Sequence, residues 1–402
     1  MALGHSPGIV TNGLIFAYDM NNTGKSFLGA PATNLYGANL GDVNSVTSWD
    51  KPTAGTATIT DSVVTNLGSF NGNRIWRVTV SAGTLVSYSS WRNCLPAGFD
   101  ATYGTTRRLS CKIFMEKGSI TAIGAHNGGG NGSYSAGDWS DVDPNTVTGC
   151  EIKSGWKQYD VNVSGNYPSG HCVGLAILSS DIQFLVTEMA VTNTSFRVPF
   201  TGLSRSTSQV LFDTVGNRSM VANSLTYASN NTFTFDSSNN YITPSSSTIS
   251  DSVLNAGSWT ISAWVNMTSV SRGTDNVVCG HGSASTSNGL HLGERNSRVY
   301  FGFYANDSSG VIPLSANTWY NIVYTYNFAT KLKQMYVNGV FDASGGSVGY
   351  GGTGSNFEIG RYPWATNYKQ YGSMPYFAMY NRVLTAAEIL QNFNAIRSRY
   401  SV

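Results

Sequence analysis

Along the last third of the chain, apolar and polar residues alternate in short runs separated by turn formers. Trp319-Tyr-Asn-Ile-Val-Tyr-Thr-Tyr326 puts Tyr320, Ile322, Tyr324 and Tyr326 on one face and Asn321, Val323 and Thr325 on the other, the period of two of a half-buried strand. Met335-Tyr-Val-Asn-Gly-Val340 sets Asn338-Gly339 between apolar runs. Both residues tolerate φ > 0, so the pair predicts a tight hairpin. Ile359-Gly-Arg361 is a further short fragment, and Tyr380-Asn-Arg-Val-Leu-Thr-Ala-Ala-Glu-Ile389 then opens a helix. Thr385 caps it, Glu388 completes a capping box, and Leu384 staples against Ile389. Upstream, Phe233-Thr-Phe-Asp-Ser-Ser-Asn-Asn-Tyr-Ile242 reads as a strand pair and Trp259-Thr-Ile-Ser-Ala-Trp-Val265 as a core strand.

Nearer the N-terminus, Gly13-Leu-Ile-Phe-Ala-Tyr-Asp19 is a short apolar strand followed by the turn-rich Asn21–Gly29. The segment from about Ala32 to Ser204 continues in the strand pattern. Asn73–Val80 alternates around Ile75 and Val78, and Arg107–Phe114 puts Leu109, Cys111 and Ile113 on one face. Gly155–Val163 and Gln183–Val191 follow the same rule, with Gly- and Ser-rich turns between and no helical period. The fold class predicted is all-β, with one short C-terminal helix.

Composition narrows the classes. At 402 residues the chain is long enough for two cores. Charged residues are 11%, against roughly 25% in ordinary globular proteins. Neutral polar residues and 44 Gly take their place, while aromatics reach 12%, which a disordered chain would lack. Net charge is +2 with no basic cluster denser than Arg107-Arg108, so phosphate-driven nucleic-acid binding is not expected. The start, Met1-Ala-Leu-Gly-His-Ser-Pro-Gly, has no secretory signal pattern, and no apolar run approaches the ~20 residues of a membrane span. Five cysteines (Cys94, Cys111, Cys150, Cys172, Cys279) without CxxC spacing predict reduced, mostly buried thiols. The Asn-x-Ser/Thr triplets, such as Asn131-Gly-Ser, are by-products of an Asn- and Ser-rich chain.

In their order, the phrases from Phe233 to Ile389 resemble the concanavalin A-like (laminin-G-like) lectin fold, in the version common in bacteriophage virion proteins. The ending Gln391-Asn-Phe-Asn-Ala395 and Arg397-Ser-Arg-Tyr400 is similar to the tail of many phage structural proteins. Such proteins commonly open with a strand ending in Asp and a Lys-Ser-aromatic segment, here Asp19 and Lys25-Ser-Phe27. They then run directly into a phrase like Val210-Leu-Phe-Asp-Thr-Val-Gly-Asn217. Here a domain-length stretch separates the two. Within it, Thr33-Asn-Leu, Trp156-Lys-Gln-Tyr-Asp-Val, Thr187-Glu-Met-Ala and Val198-Pro-Phe-Thr-Gly202 resemble carbohydrate-binding-module jelly rolls.

The resemblance implies a discontinuous lectin-like β-sandwich of residues 8–31 and 205–402 with an inserted jelly roll of residues 32–204. Loops accept such insertions because closure entropy grows slowly with length. It also implies a non-enzymatic virion surface component (fibre, tail or capsid decoration) assembled in the bacterial host cytoplasm. Its partners would be other virion proteins and copies of itself, a trimer if fibrous. The alternative is an adhesin that recognises bacterial surface polysaccharide.

The chemistry-bearing residues are few. Glycoside hydrolases of the lectin fold carry paired carboxylates on one strand. The six Glu here (Glu116, Glu151, Glu188, Glu294, Glu358, Glu388) have no acidic neighbour two residues away, so catalysis by that route is not expected. There is no Gly-x-Ser-x-Gly elbow, and Gly128–Gly132 and Gly345-Gly346 read as loops without a phosphate-binding Lys. Cys279, His281 and His291 would meet as metal ligands if their strands pair suitably; the plainer reading is two polar residues and a buried thiol in a hairpin. Asp138, Asp141 and Asp143 offer hard oxygen ligands for Ca²⁺ or form a solvated acidic loop. The jelly-roll families often carry a structural calcium, although no ligand motif of theirs transfers residue by residue.

For glycans, Gly360–Gly372 interleaves Tyr362, Trp364, Tyr368 and Tyr371 with Arg361, Asn367 and Lys369 in a loop. Flat rings stack on the C–H side of sugars while Arg and Asn take hydroxyls; the same residue types also serve packing and subunit contacts.

Overall fold

The computed structural model describes residues 8–22, 25–33, 51, 55–64, 74–85, 90–94, 107–118, 123–129, 157–163, 171–177, 180–192, 204–228, 232–244, 249, 251–346, 348–354 and 357–402. The chain forms two compact units, Met1–Ala30 with Ser206–Val402 and Pro31–Arg205. Among the described residues no helix is long and apolar enough to cross a membrane.

The larger unit is a sandwich of two eight-stranded antiparallel sheets. The first runs Thr226–Ala228, Thr232–Asp236, Tyr371–Tyr380, Trp259–Met267, Trp319–Asn327, Leu332–Val337, Val340–Gly345, and Leu14–Asp19 also pairs with Tyr371–Tyr380. The second runs Leu211–Phe212, Ser219–Asn223, Tyr241–Thr243, Glu358–Ile359, Asn276–Gly282, Gly289–Arg295, Arg298–Gly302, Asp307–Ser309. Between them lies one apolar core that includes Trp259, Ile261, Leu292, Phe301, Tyr324, Met335 and Phe377, each fully buried.

Sequence signals and structure agree at the turns. Asn338 and Gly339 have φ of 51° and 78°, as the hairpin between Leu332–Val337 and Val340–Gly345 requires. The Phe233–Ile242 phrase differs from the expected strand pair. Its two strands lie in opposite sheets, because Ser237 turns left-handed (φ 62°) and the Asn240 side chain accepts the Asp236 N–H at 2.7 Å, so the chain crosses the sandwich there.

Trp319–Asn327 is also corrected: it is buried on both faces. Its outer residue Val323 packs with Trp264, Tyr336, Tyr376 and Tyr380 under the C-terminal helix Ala386–Ile396, which contributes Ile389, Phe393 and Ile396. Each such side chain contributes roughly 1.5–3 kcal/mol on burial, against ~1 kcal/mol for a cap. Packing therefore holds the helix, and the Thr385–Glu388 box fixes where it starts.

The smaller unit is a jelly-roll β-sandwich. One sheet runs Ile59–Val63, Trp76–Val80, Ile182–Thr192, Arg107–Lys117, Lys157–Val163; the other runs Ser90–Cys94, His171–Ile177, Ile123–Gly129. Leu109, Cys111, Val78, Phe184, Val186, Leu175 and Ile177 are fully buried in it. Gly128 and Gly129, expected in a loop, end the strand Ile123–Gly129. Cys111 and Cys279 are fully buried. Ser204–Arg205 pairs with Ala32–Thr33, so the two ends of this unit run side by side.

Candidate functional site

Three neighbouring strands of the second sheet, Asn276–Gly282, Gly289–Arg295 and Arg298–Gly302, alternate between core and outer face, apart from a bulge between Val277 and Cys279. Cys279, Leu290, Leu292, Val299 and Phe301 join the core between the sheets. The intervening residues face outward, with Gly280, His291 and Gly302 opposite one another in one row and Gly293 opposite Tyr300 in the next. The glycines make room for a covering hairpin, Arg361–Tyr362 with Ala365–Lys369. A Cβ on Gly280 would lie 2.9 Å from the Tyr362 Cα, and one on Gly289 3.1 Å from Trp364 Cζ2. A Cβ on Gly302 would overlap His291 Nε2 and Asp307 Oδ1. Close approach, rather than backbone conformation, is the reason for glycine at all three.

His291 is the hub of the aromatic cluster that results. Its ring stacks on Tyr300 (centroids 5.3 Å apart) and meets Tyr362 at 5.6 Å, Trp364 at 5.5 Å and Tyr304 at 6.4 Å. Tyr362 stacks against both Trp364 (5.4 Å) and Tyr368 (5.8 Å), and Tyr304 stands edge-on to Trp364 at 5.4 Å. His291 Nδ1 lies 2.8 Å from the Gly289 carbonyl and Nε2 3.1 Å from Asp307 Oδ1.

Burial pushes the Asp307 carboxyl up, but hydrogen bonds from His291 and Tyr300 outweigh it and hold it below the ordinary value. Burial, and then Asp307, push the Tyr300 phenol up. Arg295 lies 3.7 Å over the Tyr300 ring and forms a two-bond pair with Asp275, at 2.7 Å each. The Tyr362 hydroxyl donates to Asp275 Oδ2 at 2.9 Å, and burial pushes its ionisation far up.

The structure distributes the residues expected of the 360–372 loop in three ways. Arg361 and Tyr362 are interior: Arg361 donates to both Glu358 oxygens (2.6 and 2.7 Å) and to Asn239 (2.8 Å), and stacks on Tyr241 at 3.4 Å. Trp364, at the hairpin turn, and Tyr368 are half-buried, and Asn367 is exposed. The indole Nε1 of Trp364 has no hydrogen-bond partner. Tyr371 belongs to the next strand, where Arg272 lies 4.9 Å over its ring. The loop is thus a hairpin, and packing accounts for its first two members.

The metal reading of Cys279, His281 and His291 fails on register. Cys279 pairs with Leu292 and Gly280 with His291, so His291 points to the opposite face from Cys279 and His281. His281 is held instead by the Tyr350 hydroxyl (2.7 Å) and Asp251 (3.0 Å). Asp138, Asp141 and Asp143 lie outside the described residues, and among the described residues no cluster could hold a metal ion.

Sequence reasoning missed Tyr300 and Tyr304. The available signal was Gly289-Leu-His-Leu-Gly-Glu-Arg295 followed by Arg298-Val-Tyr-Phe-Gly302: a sheet face built of Gly, His and Tyr is one that something else covers.

Residues 236–390 match the family described as the Concanavalin A-like lectin/glucanases superfamily. No curated protein matches the chain. Among solved structures, the CBM40 of the Ruminococcus gnavus IT-sialidase bound to α2,3-sialyllactose is similar over 33% of this chain and 80% of its own. The identity is 17% and the TM-score 0.29. Domain 4 of AbnA, a GH43 extracellular arabinanase from Geobacillus stearothermophilus in complex with arabinotriose, is similar over 45% of this chain and 91% of its own (16% identity, TM-score 0.36). The receptor-binding domain of botulinum neurotoxin type G covers 46% of this chain over 48% of its own, at 16% identity and a TM-score of 0.33. Identities this low leave the ligands in those structures with those proteins. The larger unit here is a concanavalin A-like sandwich.

Proposed function

We propose that this chain is a non-catalytic glycan-binding protein, and that Trp364 and Tyr304 form its contact platform. The observation that carries this is the pair of rings set edge-to-face at 5.4 Å on two adjacent turns. Tyr304 is 37% exposed and Trp364 is half-buried, so part of each ring remains open to solvent. A ring that gives one face to the protein and keeps an edge or face in solvent suits the C–H side of a sugar. Asn367 and Thr366, exposed on the same hairpin, and the exposed hydroxyls of Ser283, Ser285 and Thr286 supply hydrogen bonds. The matched superfamily includes glucanases by name, but none of the six Glu has the acidic neighbour two residues away that its hydrolases carry on one strand.

Bacterial surface polysaccharide is the partner class that fits an adhesin of this kind. Placement on a virion, with other particle subunits and copies of the chain as partners, rests on the sequence phrases alone.

The test is binding of the purified chain to bacterial surface polysaccharides by calorimetry, with Trp364→Ala and Tyr304→Ala alongside. Each variant should bind several-fold more weakly, ~1 kcal/mol for a lost stacking ring, with an unchanged melting temperature. Absence of binding by the unaltered chain, together with loss of self-association in Trp364→Ala, would make the platform a subunit contact instead.

A further inference from the structure

Five charged groups under the platform are already used within the fold. Asp307 is bound by His291 (3.1 Å), Arg295 by Asp275 (2.7 Å) and Arg361 by Glu358 (2.6 Å). Glu294, 1% exposed, accepts from Asn276 at 2.7 Å and from the backbone N–H of Ser271 and Ser297. Lys333, also 1% exposed, points into the core, where its ammonium donates to the Asn306 carbonyl at 2.7 Å from beneath the Tyr304 turn. Lys369 sits opposite Arg361 in the hairpin register, on the other face of its strand from Tyr368.

What the platform shows to solvent is therefore uncharged: two rings, hydroxyls and an amide. Resting on the glycan reading above, we propose that this site takes neutral glycans, that is hexose or pentose residues without carboxylate, sulfate or phosphate. An anionic sugar laid on these rings would give up water around its charge and, among the described residues on the ring face, find no cation to replace it, a desolvation that goes uncompensated. A neutral sugar loses only hydroxyl hydration, which Asn367 and the serine hydroxyls replace.

The electrostatic signature follows from the same arrangement. Exposed charge pairs are screened by salt, whereas C–H stacking and neutral hydrogen bonds are not. Affinity for the right ligand should be flat with ionic strength.

The experiment is titration of the whole chain with matched oligosaccharides by NMR, at low and high salt. One set consists of neutral gluco-, manno-, galacto- and arabino-oligosaccharides, and the other of uronate- and sialate-containing counterparts. Trp364→Ala is titrated in parallel. We expect at least one neutral oligosaccharide to bind, with an affinity that changes less than about twofold with salt. Its acidic counterpart should bind about tenfold more weakly or worse, a ratio equivalent to ~1.4 kcal/mol. Stronger, salt-sensitive binding of acidic sugars that Trp364→Ala abolishes would overturn the neutral assignment and leave the platform standing. Binding of both sets undiminished by Trp364→Ala, or of neither set, would overturn the platform itself and the assignment with it.

Discussion

At the scale of single residues, the site depends on what is missing from Gly302. Its absent side chain is what allows His291 to reach Asp307 across the row, and an alanine methyl would overlap both groups. Gly302→Ala should therefore destabilise the larger unit by about 1–3 kcal/mol, the usual cost of overpacking a close contact. It should also change the near-ultraviolet signal of the Trp364–Tyr304 pair, which His291 supports. Unchanged melting and spectra would mean that the cluster adapts and that His291 does not position those rings. Legibility in the sequence was uneven at this scale. Trp364, Asn367 and Tyr368 could be picked out by type, because aromatic and amide residues crowd the phrase. The interior places of Arg361 and Tyr362 could not be read there, since they are set by Glu358, Tyr241 and Asp275, which only the fold brings near. For Cys279, His281 and His291 the plainer reading of a hairpin with a buried thiol holds, while the face His291 occupies depends on the pairing register and could not be read from the sequence.

At the scale of elements, local signals were legible wherever the chemistry is local. The Asn338-Gly339 turn and the Thr385–Glu388 box both form as the residues dictate. Coverage was not legible: Trp319–Asn327 reads as half-buried by its alternation, yet a helix some sixty residues further along the chain buries its second face. That helix start carries a pH dependence. Glu388 is held down to about 2 by the Arg382 guanidinium first and then by the Thr385 N–H, against an ordinary 4.5. Because the folded value is depressed, the stabilisation is complete above pH 4.5 and is lost as pH falls towards 2. The carboxylate is partly exposed, so the ion pair itself is screened and the effect stays near ~1 kcal/mol. Glu388→Gln should lower stability by about that amount at neutral pH and flatten the acid limb of the melting profile between those values. A variant that keeps the full acid sensitivity of the parent would assign it to other carboxylates.

At the scale of the whole molecule, the question is whether the two compact units fold independently. The N-terminal strand Leu14–Asp19 lies antiparallel to Tyr371–Tyr380, and the next residues stay in the same unit: Leu28 N–H donates to Val210 at 2.9 Å and Phe212 N–H to Ser26 at 2.8 Å. Just beyond, Ala32–Thr33 pairs with Ser204–Arg205. Both passages of the chain between the units thus run as neighbouring strands, and the ends that excision would leave are already close together. The sequence pointed to this only through an interrupted resemblance at Lys25-Ser-Phe27, since nothing in the local pattern separates strands of one sandwich from strands of another. Removing the intervening segment shortens a long connection, and closure entropy changes by only ~0.6 kcal/mol per doubling of length, so the larger unit should gain slightly rather than lose. We expect a chain with Gly29 joined to Ser206 through a short flexible linker to be folded, with a single cooperative melting transition and dispersed amide resonances. Residues 32–204 expressed alone should fold as a second, separately melting piece. If either piece is collapsed without cooperative melting while the full chain is folded, the two units depend on each other and the insertion is not an autonomous domain.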